Sequence, residues 1–163
     1  MTKIGLLSDT HGFIDDKIII FFASCDEIWH AGDIGNVEVI NKLASGKTIR
    51  AVYGNIDGAE IRIRYKKFIR FICEGAEILI THIGGYPGHY EKETKNEILL
   101  KPPKILVCGH SHILKVIYDK KFDLLFINPG AAGNSGLHKV RTVIRFEIDN
   151  SEPKNMEILE IKR

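Results

Sequence analysis

Five short groups in this chain carry the residue types that bind divalent metals through oxygen and imidazole nitrogen. They are Asp9-Thr10-His11, Gly32-Asp33, Gly54-Asn55-Ile56-Asp57, Thr81-His82 and Gly109-His110-Ser111-His112. Asp9 and His11 stand two positions apart, as do His110 and His112, so in an extended segment each pair points to one side. A glycine precedes Asp33, Asn55 and His110, which suits sharp turns and close backbone approach. The set holds no thiolate. Mixed nitrogen and oxygen donors suit manganese, iron, zinc, nickel or cobalt, whereas an all-oxygen set would favour magnesium or calcium. The charges also balance usefully. Two divalent ions are offset in part by Asp9, Asp33 and one bridging hydroxide, leaving a weakly positive centre that attracts a phosphate without trapping it.

Taken singly, each group has an ordinary structural explanation. Ser8-Asp9 is common turn chemistry, and Asp or Asn after Gly is frequent in loops. What argues for a metal site is where the groups fall. Residues 3–8, 27–31 and 48–53 read as short buried strands, and residues 77–81 and 105–108 as two more; each is followed at once by one of the groups. Residues 15–24 and 37–45 read as helices between the first three strands, with Asp15 or Asp16 opening the first and Gly46 ending the second. Strand and helix in alternation predict crossover connections and a parallel sheet, whose strand C-terminal ends form one ligand-binding edge.

Beyond residue 60 the pattern turns strand-rich. Residues 61–65 alternate Ile-Arg-Ile-Arg-Tyr and residues 67–72 form a further β-like run. The mixture of basic and aromatic side chains there reads as a half-solvated strand rather than a nucleic-acid surface. Residues 90–100 read as a helix ended by Pro102-Pro103. Residues 114–118, 124–127, 142–148 and 156–161 read as strands, and Gly130 to Gly136 as a loop within the same domain. The residues predict a mixed sheet, or two packed sheets, with helices outside, in one domain over 1–163.

The chain has 163 residues, 44% hydrophobic and 27% charged, the balance of a water-soluble globular domain. A net charge of +2 argues against nucleic acid as the main partner. The first residues lack a signal-type apolar core, and the longest apolar run, residues 18–23, is far too short to span a membrane. Cys25, Cys73 and Cys108 stand singly, as reduced packing thiols of a cytoplasmic protein do. His30 lies in an apolar strand and reads as a core or supporting histidine. His89 and His138 lie in loops, where exposure is the default.

Asp-x-His, Gly-Asp, Gly-Asn, a lone His and Gly-His-x-His, in this order, resemble the calcineurin-like metallophosphoesterases. The short length and the Gly-Asn-x-Asp form resemble their small phosphodiesterase branch. The resemblance runs from residue 3 to the Asn128-Pro129-Gly130 turn. It implies an α/β fold of two packed mixed β-sheets flanked by helices, with the metal site at strand C-terminal ends. It also implies two divalent ions, manganese first, with nickel, iron, zinc or cobalt as alternatives. Asp9, His11 and His112 would hold one ion, Asn55, His82 and His110 the other, and Asp33 would bridge them. Ions about 3.5–4 Å apart share a hydroxide that is available near neutral pH and serves as nucleophile on a small phosphate ester. Asp33, Asn55 and His82 would then also act in catalysis.

Two features depart from the family's pattern. Ile56 stands where larger members carry a histidine that helps to protonate the leaving group, and Asp57 beside it is the candidate replacement. His82 is followed by Ile83-Gly84-Gly85 where many small members have a second histidine, and His89 folding back would replace it. The loops 86–93 and 130–138 are expected to set specificity. Strand edges and exposed Phe residues would permit a homo-oligomer. The alternative function implied by the resemblance is a non-catalytic metal-binding scaffold like the retromer subunit of this fold; the intact set of seven ligand types argues against it.

Overall fold

The computed structural model describes residues 1–163. Its elements are β1 (Thr2–Leu7), α1 (Asp16–Phe21), β2 (Glu27–His30), α2 (Val37–Ala44), β3 (Thr48–Ala51), α3 (Ala59–Arg64), β4 (Phe68–Cys73) and β5 (Ala76–Thr81). They continue with β6 (Gly85–Tyr86), β7 (His89–Tyr90), α4 (Lys92–Leu100), β8 (Ile105–Val107), β9 (Leu114–Asp119), β10 (Leu124–Pro129), β11 (Val140–Asp149) and β12 (Glu152–Lys162).

Two five-stranded sheets form, in the orders β12-β11-β1-β2-β3 and β4-β5-β8-β10-β9. Each has three parallel strands, β1-β2-β3 in one and β5-β8-β10 in the other, continued by antiparallel neighbours. The parallel strands are apolar on both faces, as strands covered on both sides must be. In β1, Ile4 and Leu6 face the second sheet, where they meet Ile78, Ile80, Ile105, Val107 and Ile127. Leu7 faces the other way, against Ile18 of α1 and Val39, Ile40 and Leu43 of α2. Ile98 of α4 covers the outer face of the second sheet with Leu79, Leu106 and Phe126. The result is four layers, helix–sheet–sheet–helix, as the resemblance implied.

Trp29 pins the two sheets together. It is fully buried, with edge-to-face contacts to Phe71 and Phe146 at 5.2 and 5.8 Å. Its Nε1–H donates to Glu27 Oε2 at 2.8 Å, so its one polar group is satisfied. Helix starts follow the usual capping chemistry: Asp15 accepts from Lys17 N–H, Asn36 from Val39 N–H, and Glu91 from Glu93 and Thr94 N–H.

The alternation at residues 61–65, read above as a strand, is a helix. Over six residues a helical period hardly shows, and only Ile61 is buried while Ile63 is solvent-facing. The local forces favour the helix: Glu60 and Arg64 pair at i,i+4, and Arg62 Nε donates to Asp57 O at 2.6 Å. The last two strands are longer than their apolar stretches suggest. Asn150 and Ser151, both at positive φ, close a tight hairpin between β11 and β12. The small β6–β7 hairpin within residues 85–90 had no legible strand pattern. No helix is long and apolar enough to cross a membrane.

Candidate metal centre

β1, β2, β3, β5 and β8 deliver Asp9 and His11, Asp33, Asn55, His82, and His110 and His112 to one end of the two sheets. Asp9, His11 and His112 form one group whose donor atoms lie within 4.8 Å of one another; Asp33, His82 and His110 form a second. Asn55 joins the second group, its Oδ1 3.1 Å from His82 Nε2. The carboxylates lie between the groups. Asp33 Oδ2 is 3.5 Å from His11 Nε2 and 3.2 Å from His82 Nε2, and Asp9 Oδ1 is 3.8 Å from each. The seven residues named from the sequence thus face one another in a single cleft.

The backbone is bent to bring them there. Asp9, His11, Asp33, His110 and His112 all have φ between 47° and 69°. For residues with a Cβ this conformation costs about 1 kcal/mol or more each, and it concentrates at functional sites. Turning each side chain sharply off its strand end needs that bend. Gly32 has φ +97°, and a Cβ there would stand 2.7 Å from the Cβ of His82. A Cβ on Gly54 would overlap the Asp33 carboxylate. These glycines hold the strand ends close enough for the side chains to converge.

Hydrogen bonds fix which atoms face the cleft. Asp9 Oδ2 accepts from Ser8 Oγ–H at 2.7 Å and from His110 N–H at 3.1 Å, leaving Oδ1 inward. Asp33 Oδ1 accepts from Ile56 N–H, leaving Oδ2 inward. His82 Nδ1–H donates to Ala31 O at 2.8 Å, so its Nε2 lone pair points at Asn55 and Asp33. Asn128 donates to Gly109 O and Ser111 Oγ and so clamps the loop that bears His110 and His112.

The remaining histidines divide. His30 is fully buried. Its Nδ1 accepts Gly32 N–H at 3.2 Å, so its Nε2–H donates to Thr10 Oγ1 at 2.9 Å, and Thr10 in turn donates to Ile34 O. It ties the Asp9 loop to the Asp33 loop, and burial pushes its pKa down to about 4. His138 is the residue that sequence reasoning missed. Its Nε2–H donates to Gly133 O at 2.8 Å, which makes its Nδ1 an acceptor for His112 Nδ1–H at 3.2 Å. His112 therefore presents a bare Nε2, 3.1 Å from Asp9 Oδ1. The signal was available: a histidine at the end of a Gly-rich loop that returns directly after the Asn128-Pro129-Gly130 turn. His89 lies on β7, against Tyr86, and lines the same cleft as His110.

Asp57 is elsewhere than its expected role requires. It is buried, and its carboxylate accepts three backbone N–H groups, from Ile34, Gly35 and Gly54, at 3.1, 2.8 and 2.8 Å. It braces the loops carrying Asp33 and Asn55. The expectation that it supplies a proton to the leaving group is corrected by this geometry: a carboxylate holding three donors is an acceptor.

The electrostatics follow from this crowding. Burial alone would raise the Asp9 carboxyl, but the imidazoles of His11, His112 and His82 around it outweigh that and hold it well below the usual range. Burial likewise raises the Asp33 carboxyl, and His82 beside it outweighs that and lowers it. The neighbouring Asp9 carboxylate raises His11; Asp33 and Asp9 raise His82 against the effect of its burial. Protons are drawn into the centre wherever lone pairs face carboxylates. His11 Nε2 is buried with no hydrogen-bond partner. An orphaned nitrogen amid anionic oxygens is a donor set for a cation, so the residues present fit divalent metal.

The comparisons agree. Residues 2–151 match the calcineurin-like phosphoesterase superfamily domain. A probable metallophosphoesterase from Mycoplasma pneumoniae is 30% identical over 138 residues, 80% of this chain and 79% of the relative. An archaeal phosphodiesterase has a similar structure, with TM-score 0.73, 25% identity and coverage of 96% of this chain and 99% of its own. Vps29 from Entamoeba histolytica, in complex with Zn2+, shares the fold with TM-score 0.72 at 17% identity, covering 98% of each chain. By sequence and by fold, the chain belongs to the calcineurin-like phosphoesterase superfamily.

Proposed function

We propose that this chain is a two-metal phosphodiesterase that acts on small phosphate esters in the cytoplasm, with the whole of residues 1–163 as its functional unit. The observation that carries the reading is the buried, unpartnered His11 Nε2 in one of two adjacent donor groups, with Asp33 Oδ2 3.5 Å from it and 3.2 Å from His82 Nε2 of the other. Asp9, His11 and His112 would hold one ion, Asn55, His82 and His110 the other, with Asp33 between; manganese is the first candidate. Such a pair supplies Lewis acidity and a hydroxide nucleophile near neutral pH.

The chain's own residues do the rest. His82 and His112 are held by Ala31 O and His138 with bare nitrogens inward, so the donors need no rearrangement. Asp33 is aimed by Ile56 N–H. His110 and Asn55 stand at the open side, where a phosphate enters. Ile56 is apolar and Asp57 is engaged as an acceptor, so neither donates a proton to the departing oxygen. Esters with a stable leaving anion are therefore favoured.

A second reading, a metal-binding scaffold without catalysis, draws on the likeness to Vps29. The accessible cleft and intact donors argue for the enzyme. The test is hydrolysis of bis(4-nitrophenyl) phosphate and 4-nitrophenyl phosphate by metal-stripped protein, with Mn, Ni, Co, Zn and Mg added singly. Metal-dependent diester cleavage, lost in Asp33→Ala and His110→Ala, is expected. Silence with every metal in the folded protein would sink the enzyme reading.

A further inference from the structure

Beside His110 the cleft widens into a hollow of about 370 Å³, within the range of small-ligand sites, about 300–1,000 Å³. Tyr86 and His89 of the β6–β7 hairpin form one wall, Ile83 and Ile113 others, and Phe126 the floor. Phe126 is almost completely buried, whereas Tyr86 and Ile113 are about half exposed, at 46% and 59%. Large apolar side chains exposed around a hollow that opens on the candidate metal centre are surface that a ligand can cover.

The lining holds one lysine and one carboxylate. Lys115 sits with its ammonium 4.5 Å from the centroid of the Tyr86 ring and forms no ion pair. Glu91, the one acidic residue of the lining, is spent on capping α4 through Glu93 and Thr94 N–H. The smaller hollow of about 190 Å³ on the Asn55 side differs in kind. Its cations are already committed, Arg62 to Asp57 O and Asn55 O, and Lys67 to Glu93.

We infer that the hollow beside His110 is the subsite for one organic group of the substrate, and that this group is an aryl or heteroaryl ring. The inference rests on the phosphoesterase reading and names its substrate class: phosphodiesters bearing a planar ring. The phosphate would sit at His110, the ring between Tyr86 and Ile113 above Phe126. Lys115 would draw the anion in, without contributing to ring selectivity.

Two probes separate this inference from the reading it rests on. Binding of phenylphosphonate and methylphosphonate to the metal-loaded protein is measured by titration calorimetry. Hydrolysis of bis(4-nitrophenyl) phosphate and methyl 4-nitrophenyl phosphate, which share a leaving group, is compared in parallel. The expected result is a preference of about tenfold for phenylphosphonate over methylphosphonate in affinity, with both ring-bearing diesters hydrolysed. Tyr86→Ala should reduce it to about twofold, and Ile113→Ser should reduce it in the same direction. Lys115→Met should weaken both phosphonates alike and leave their ratio unchanged. Equal binding of the two phosphonates by the unmodified protein, or a preference untouched by Tyr86→Ala and Ile113→Ser, would overturn the subsite. A ring preference in binding with no hydrolysis of either diester would uphold the subsite and refute the phosphodiesterase.

Discussion

Removing the His138 imidazole should weaken one metal site and spare the other. His138 accepts His112 Nδ1–H at 3.2 Å while its own Nε2–H is tied to Gly133 O at 2.8 Å. Burial lowers its pKa, which favours the neutral ring that this acceptor role needs. The relay thus keeps the His112 proton on Nδ1 and the lone pair on Nε2, toward Asp9. In His138→Ala that Nδ1–H loses its partner, and the His112 ring is free to change tautomer or turn. Loss of such an orienting partner typically costs about 10–100-fold in metal affinity, about 1.4–2.7 kcal/mol. Only the group of Asp9, His11 and His112 contains the affected ligand, so the group of Asp33, His82 and His110 should keep its affinity. Titration of metal-stripped protein with Mn or Zn against a competing chelator resolves the two steps. His138→Gln, whose side-chain oxygen can accept the same proton, should recover part of the loss. Unchanged affinity at both steps, or equal weakening of both, would refute the relay.

Asp57→Asn should destabilise the fold by about 2–3 kcal/mol, because one carbonyl oxygen replaces an anion that held three backbone donors. It should lower kcat without removing a limb from the pH–rate profile; a vanished alkaline limb would restore Asp57 as the proton donor. Metal-stripped protein should be most stable near about pH 6.5. Toward acid, His30 with a folded pKa of about 4 resists the proton that the unfolded chain takes up, so stability falls by about 3 kcal/mol as pH drops from 6.5 to 4. Toward base, His11 and His82, whose pKa values are raised in the fold, lose the protons that pair them with Asp9 and Asp33, so stability falls again. Urea unfolding between pH 4.5 and 8.5 checks both limbs, and a monotonic rise would contradict them. Gly32→Ala should abolish metal binding, since its Cβ meets His82 and its φ is +97°; intact stoichiometry in a chelator titration would show that the strand ends can spread.

What the sequence made legible was the part of the molecule with strong local codes. Ile4 to Leu7, Ile28 to Ala31 and Ile105 to Val107 are buried on both faces, and such runs announce central strands without needing a period. The ligands followed because each stands directly after such a run, and in a parallel sheet that position alone assigns a common edge. Where the code was weak, tertiary forces decided. The Ile-Arg-Ile-Arg alternation spans too few residues to choose a period, and contacts from Arg62 to the Asp57 turn made it a helix. Asp57 itself read as a candidate proton donor, because nothing in a linear sequence shows that the Asp33 loop and its own turn aim three N–H groups at one carboxylate. His138 is 26 residues from His112 and is joined to it only when β10 and the glycine loop close over the site.

The left-handed backbone at five of the candidate ligands connects these observations. Side chains turned so sharply off their strands lose stability locally, and here the surrounding hydrogen bonds hold them: Ser8 and His110 N–H on Asp9, Ile56 N–H on Asp33, Asn128 on the His110 loop, Asp57 beneath the two loops between. Carboxylate oxygens and bare imidazole nitrogens are thereby pressed to 3.1–3.8 Å from one another, an arrangement that repels itself unless positive charge enters. In metal-free protein that charge is a proton, which is why His11 and His82 are drawn to the protonated form. A divalent cation supplies more of it and asks no rearrangement of the donors. The strain in the backbone and the affinity for metal are thus two sides of one design, and each supporting residue should be felt in metal affinity before it is felt in the fold.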